Sequence, residues 1–168
     1  MMVSVPVDDF YEFAHTHMPT IANFARRRLY PLNPEELDDI VADVLIVAWR
    51  KRDAIPVGAE APWLIGVTRK VLANARRKKY RRSAYIQSQR AEGTHRSAED
   101  RVLKDAAVEA SMATLSFGDR EILMLHYWDD LSIEQIATTT GATVNAASVR
   151  LSRARKRFRE AFAKFEES

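Results

Sequence analysis

Apolar residues recur every three or four positions through most of this chain, and that period predicts helices along nearly its whole length. Phe10, Phe13, Ala14, Ile21, Phe24, Ala25 and Leu29 would line one side of a helix over residues 8–30, with Pro19 as a candidate kink. The stretch Tyr30-Pro31-Leu32-Asn33-Pro34 reads as a turn. Pro34, Glu35 and Glu36 then open a second helix, since proline and acids suit a first helical turn, and it runs to about Arg52. Residues 54–61, with Pro56 and Gly58, read as a loop, and Pro62 sits in the first turn of a third helix ending near Arg82. From Ser83 to Asp100 the pattern weakens into a polar stretch containing Gly93, and a second helical block runs from Arg101 to Glu167. No alternating β-branched run is bounded by turn dipeptides. The expected fold is therefore all-α: two small helical domains, at 8–82 and 103–165, joined by a polar linker at 83–102.

Composition narrows the class without changing this picture. The 168 residues suffice for two small cores, and a hydrophobic share of 46% excludes a wholly disordered chain. With no cysteine, a disulfide framework and a cysteine-based zinc site are both excluded. The longest apolar run, residues 40–49, is broken by Asp43 and too short to span a bilayer. Asp8, Asp9 and Glu12 come too early for a secretory leader. The expectation is a cytoplasmic protein with no membrane insertion.

Charge distribution changes the picture more than net charge does. Residues 34–49 carry five acids and no base, whereas residues 50–82 carry eleven Lys or Arg against Asp53 and Glu60. The alternation repeats: residues 111–141 net −4 and residues 142–168 net +4. Two separately concentrated basic surfaces point to a polyanionic partner, although a merely solvated basic helix is the plainer alternative.

The sharpest local signal lies between Leu131 and Phe162. Ser132 with Gln135 three residues on forms a capping box, Gly141 supplies a turn, and Thr143 can cap the helix beginning at Val144. Ala137 and Gly141 suit two helices crossing closely at that turn. Ala147, Leu151, Ala154 and Phe158 make one apolar stripe, leaving Asn145, Ser148, Arg150, Arg153 and Arg155 for solvent or a ligand. This is the pattern of a helix-turn-helix, in which the start of the second helix meets base edges and the basic remainder meets phosphates. Arg150 is the candidate guanine reader, because its fork can bond two acceptors at once. An ordinary amphipathic hairpin with a basic outer face is the alternative.

Here a resemblance becomes specific. Asp119-Arg120-Glu121, Leu131-Ser132, Ile136-Ala137, Gly141 and Arg150-Leu151-Ser152-Arg153-Ala154-Arg155 resemble region 4 of extracytoplasmic-function sigma factors of RNA polymerase. The resemblance implies that Thr143, Asn145, Ser148, Arg150, Arg153 and Arg155 read the upstream promoter element. Ala146 and Ala147 stand where the family often has Thr and Val, which leaves the base preference open.

The first half resembles region 2 of the same family. PEELDDIVADVLIVAWRK is similar to its acidic helix, which implies core polymerase binding through Asp38, Asp39, Asp43 and Leu45, with Val44, Leu45 and Ala48 as apolar contact or core and Trp49 as core. Ala42 replaces the usual Gln. APWLIGVTRKVLANARRKKYRR is similar to the helix that grips the opened downstream element. That implies contacts from Arg69, Lys70, Asn74, Arg76, Arg77, Lys78 and Lys79, an unstacked base caught in the loop from Val57 to Ala61 with Val57 and Gly58 as its contacts, and Trp63, Leu64 and Val67 as core. Lys70 and Asn74 depart from the family's usual Asn and Asp. The partners implied are core RNA polymerase and promoter DNA, and an anti-sigma factor is a common family partner.

Other function classes fit less well. His15 and His17 diverge on a helix, His95 falls in the linker, and the acid pairs Asp38-Asp39 and Asp129-Asp130 lack a base or metal pattern. There is no phosphate loop or nucleophile elbow, so no enzyme, cofactor or metal is expected. A stand-alone helix-turn-helix regulator would explain the second half, but not the acidic and basic helices of the first.

Overall fold

The structure, a computed structural model, describes residues 9–87 and 106–166. All regular structure among them is helical, and the chain divides into two compact units. Three helices build the first: α1 (Phe10–Arg27), α2 (Leu37–Arg50) and α3 (Glu60–Gln87). The second is built on α4 (Ala106–Thr114), α5 (Phe117–Tyr127), the start of α6 (Ile133–Thr140) and α7 (Val144–Glu166). No helix of the described residues is long and apolar enough to cross a membrane.

In the first unit α1, α2 and α3 each pack on the other two. Ile21, Val41, Val44, Ala48, Ile55 and Leu64 form the central cluster, and Phe10, Phe13, Leu45, Trp63 and Val67 press on it from its edges. Pro19 does not break α1. It lies on the exposed side, where the unbonded carbonyl one turn back meets water, while Ile21, Phe24 and Ala25 are buried just beyond it. The expected end of α1 at residue 30 is corrected to Arg27.

The turn to α2 is capped more tightly than composition suggested. Pro34–Glu36 form a short 3-10 turn, and the Glu36 carboxylate accepts the Asn33 N–H at 2.7 Å, completing a capping box with the Asn33 side chain. After α2, Ile55 is buried and pins the connection to α3.

The third helix is longer than expected. It continues through Ser83–Gln87, so the start of the predicted linker is helical. A solvent-facing segment needs no apolar stripe to extend a helix already nucleated, and nothing between Ser83 and Gln87 is a Gly or Pro. The rest of the predicted linker with His95, residue 8, and residues 103–105 of the predicted second domain lie outside the described residues.

In the second unit α4 and α5 both pack on α7. Leu115, Ile122, Leu123, Leu125 and Leu131 are buried with Ala147, Leu151 and Ala154. Ser116 caps α5 by accepting the Asp119 N–H at 3.2 Å. Leu64 is 0% exposed and central to the first unit. Leu64→Ala is expected to destabilise that unit by about 2–5 kcal/mol, as a drop in its denaturant midpoint followed by helical circular dichroism.

Candidate nucleic-acid interface

The turn joining α6 and α7 has the geometry that its residues predicted. The Ser132 N–H donates to Gln135 Oε1 at 2.9 Å, and the Gln135 N–H donates to Ser132 Oγ at 3.2 Å. The Ala142 N–H closes on the Ala137 carbonyl at 3.0 Å, with Gly141 at φ +67° between them. Glycine is needed there for its left-handed backbone. A Cβ at Gly141 would meet no atom within 4 Å, so close helix crossing is not the reason for it. Thr143 Oγ1 accepts the Ala146 N–H at 3.1 Å and starts α7, so this predicted DNA contact is also the helix cap.

Along α7, burial of Ala147, Leu151 and Ala154 turns Asn145, Ser148, Arg150 and Arg153 outward to solvent. Arg155 is the exception. It lies four residues after Leu151, beside the buried stripe, and is half-buried. Its Nε donates to the Tyr127 hydroxyl at 2.8 Å, and a terminal nitrogen lies 3.1 Å from His126 Nε2. His126 Nδ1 stands 2.9 Å from the Leu131 carbonyl. A carbonyl only accepts and a guanidinium only donates, so His126 carries its proton on Nδ1 and accepts from Arg155 at Nε2. Arg155 therefore ties α7 to the end of α5. Arg157 is similarly engaged, 2.7 Å from an Asp119 carboxylate oxygen. Beside this network a groove of about 390 Å³ is lined by Val108, Met112, Leu123, Tyr127, Trp128 and Phe158, a feature with no periodic signature in the sequence.

On α3 the same rule separates the basic side chains. Lys70, Asn74, Arg77 and Lys78 are exposed on one face, which continues through Arg81, Arg82 and Tyr85. Arg77 donates to Asn74 Oδ1 at 2.7 Å, bracing the two on that face. Arg69 is half-buried. Arg76 is half-buried: it lies four residues after buried Leu72, and its guanidinium donates to the Arg28 carbonyl just past the end of α1. It satisfies a helix-end acceptor rather than facing solvent. Lys79, three residues further, reaches Asn33 Oδ1 at 3.3 Å.

The loop before α3 presents Val57, 63% exposed, and Gly58, at φ +80°. Glu60 Oε1 accepts the Gly58 N–H at 2.8 Å. That bond and one from its own N–H hold the Glu60 carboxyl below the usual carboxylate range; partial burial opposes the shift, and the nearby His17 charge favours it. Glu60 lies inside the loop expected to hold a flipped base, but its hydrogen bond back to Gly58 was not foreseen, although an acid two residues after a turn glycine was the available signal.

The acidic helix carries Asp38, Asp39 and Asp43 on its exposed side, as expected. Leu45, expected as contact or core, is half-buried and packed against the core cluster. The apolar side chain that does stand among the acids is Ile46, 47% exposed, which sequence reasoning missed. Trp49 is a further correction: it lies outside the core, edge-on to Phe10 at 5.0 Å and beneath the Arg52 guanidinium at 4.5 Å. Five residues separate it from Val44, which turns it to the far side of the helix. Among the described residues no group of His, Asp or Glu could hold a metal ion.

Comparison with known proteins places these surfaces in a family. Sigma-70 region 2 matches residues 13–82, and sigma-70 region 4 matches residues 105–158. The sigma factor RpoE from Bartonella quintana, solved in complex with the anti-sigma factor NepR, is similar over 94% of this chain and 98% of its own, with 24% identity and a TM-score of 0.62. CnrH, solved in complex with the cytosolic domain of CnrY, is similar over 95% of this chain and 90% of its own, with 23% identity and a TM-score of 0.58. These likenesses show a shared fold, and no curated protein matches by sequence. With both regions present in order, this chain belongs to the sigma-70 family, as a sigma factor of the extracytoplasmic-function type that directs promoter-specific transcription.

Proposed function

We propose that the work of a sigma factor is divided among three outward faces of this chain. Residues 8–82 bind core RNA polymerase and melt the downstream promoter element, and residues 103–165 recognise the upstream element. The observation that carries this reading is the exposed, basic side of α7, where Asn145, Ser148, Arg150 and Arg153 face solvent because Ala147, Leu151 and Ala154 cannot. These four side chains and the Thr143 hydroxyl meet the major groove, and Arg150 reads a base.

On α2, Asp38, Asp39 and Asp43 pair with basic residues of core polymerase while Ile46, one turn after Asp43, supplies apolar contact. On α3, Lys70, Asn74, Arg77 and Lys78 hold the backbone of the opened strand, and an unpaired base lodges against Val57 and Gly58. Melting then needs no catalytic group. Capture of a flipped base lowers the free energy of the open state only, and the duplex-opening equilibrium follows. The protein acts without enzymatic chemistry, beside the polymerase in the cytoplasm. An inhibitory protein partner, as in the RpoE–NepR complex, fits the exposed apolar side chains Tyr127 and Trp128 at the groove of the second unit.

The direct test is run-off transcription of genomic DNA by purified core polymerase with and without this protein. Protein-dependent transcripts from discrete start sites are expected. Specific duplex binding by the protein alone, with no binding to core, would instead make it a stand-alone helix-turn-helix regulator.

Two substitutions separate surface from scaffold. Arg150→Ala is expected to weaken upstream-element recognition by about 1–3 kcal/mol and to relax discrimination at one base position, measured by competition between promoter variants. Arg155→Ala should instead lower the thermal midpoint of the second unit and leave the ranking of promoter variants unchanged. Asp43→Lys is expected to weaken core polymerase binding by about tenfold or more at low salt, with the difference shrinking as salt rises, measured by fluorescence anisotropy.

A further inference from the structure

The loop between α2 and α3 is anchored at both ends. Ile55 is 1% exposed on one side, and on the other the Trp63 N–H donates to the Ala59 carbonyl at 3.1 Å, beginning the helical ladder. Between them, the Ala59 N–H closes a β-turn on the Pro56 carbonyl at 3.2 Å. Gly58, third in that turn, has φ +80°, and Val57, second in it, is not among the residues of positive φ. Turns of types I′ and II′ need a positive φ at the second residue, so this one is type II.

Type II differs from type I mainly by rotation of the central peptide, which changes φ of the third residue from roughly −90° to roughly +80°. Glycine adopts either value readily, so Gly58 alone does not choose between them. The Glu60 carboxylate chooses between them. The N–H of that central peptide belongs to Gly58, and it donates to Glu60 Oε1 at 2.8 Å. The bond is charge-assisted, since the carboxyl is ionised at neutral pH, and Glu60 opens α3 where the helix dipole favours an anion. The peptide is planar and trans, so fixing the Gly58 N–H toward Glu60 fixes the Val57 carbonyl away from it.

We propose that Glu60 is a positioning residue for base capture: its carboxylate locks the Val57–Gly58 peptide in the type II orientation, so that the Val57 side chain and carbonyl meet an unpaired base without reordering. This rests on the reading of that loop as the base-capturing element. The energetic logic is preorganisation. An unlocked loop would sample both peptide orientations, and a captured base would have to select one of them, weakening capture by the fraction of time spent in the wrong one. A purely structural role, acid at a helix start, would change stability but not base preference.

The experiment uses the full chain as wild type, Glu60→Gln, Glu60→Ala and Val57→Asp, free and assembled with core polymerase. Amide hydrogen exchange at Gly58 is read in the free protein. In the holoenzyme, open-complex formation is read on a promoter identified by run-off transcription, with each of the four bases in turn at the captured position. Loss of a charge-assisted bond should speed Gly58 exchange by about tenfold to a hundredfold in Glu60→Ala. Discrimination among the four bases should fall by about tenfold, with core affinity unchanged. Glu60→Gln, which keeps an acceptor oxygen without the charge, should fall between. Unchanged discrimination in Glu60→Ala while Val57→Asp abolishes it would overturn the role of Glu60 and leave the loop reading standing. Unchanged discrimination in Val57→Asp would overturn the loop reading itself. A loss in Glu60→Ala that tracks its thermal destabilisation and extends equally to core binding would reduce Glu60 to a structural acid.

Discussion

Burial of one narrow apolar stripe per helix orients every charge that this protein uses. Val44 and Ala48 on α2 are 0% exposed, packed in one cluster with Ile21, Ile55 and Leu64. A helix is rigid at about 100° per residue, so fixing those two positions turns Asp39, Ala42, Asp43 and Ile46 to the opposite side. Ala147, Leu151 and Ala154 do the same for the outward side chains of α7. Magnitudes decide which side wins: burying a leucine is worth about 2 kcal/mol, and an exposed ion pair rarely reaches 1 kcal/mol. The charges follow the stripe, not the reverse.

The arrangement leaves a long run of cations on α3 with no acid interspersed. Between Lys70 and Arg82 α3 carries seven Lys or Arg and no acid. Such a face repels itself and lowers the stability of the free unit, and a polyanion relieves that repulsion on binding. Packing on α1 and α2 lets α3 tolerate the strain. Arg76 and Lys79 relieve part of it by lying back on the Arg28 carbonyl and on Asn33. Helix-end carbonyls that would otherwise face bulk water thereby become partners for cations, and the third helix is tied to the connection between the first two.

The second unit uses the same economy. Arg155 and Arg157 join α7 to α5 through Tyr127, His126 and Asp119, so the helix that presents Arg150 and Arg153 is itself braced by arginines, Arg155 beside the buried stripe and Arg157 on the outward side. A helix held this way has little orientational freedom left to lose on meeting a ligand, which in the proposed role favours reading a base over merely neutralising phosphate.

Much of this was legible in the residues. Capping signals at Ser132, Gln135 and Thr143, the turn glycine at 141 and the stripe through Leu151 are local chemistry, and each forms as predicted because its partners lie within a few positions. The all-α class, the acidic face of α2 and the basic face of α3 were legible for the same reason: helical period acts over short spans. What the sequence could not decide was which arginine among several would be claimed by a neighbour from another helix. Arg76 and Arg77 are adjacent and chemically identical, yet one meets the Arg28 carbonyl and the other stays in solvent, since a 100° step carries the first to the packed side. The same step turns Leu45 toward the core cluster and Ile46 to solvent, and Trp49 leaves the core by it. The sequence by itself determined the helices, their caps and the sign of charge on each. Only tertiary packing decided which charges face outward, because that depends on where a second helix happens to place a carbonyl, a hydroxyl or a carboxylate.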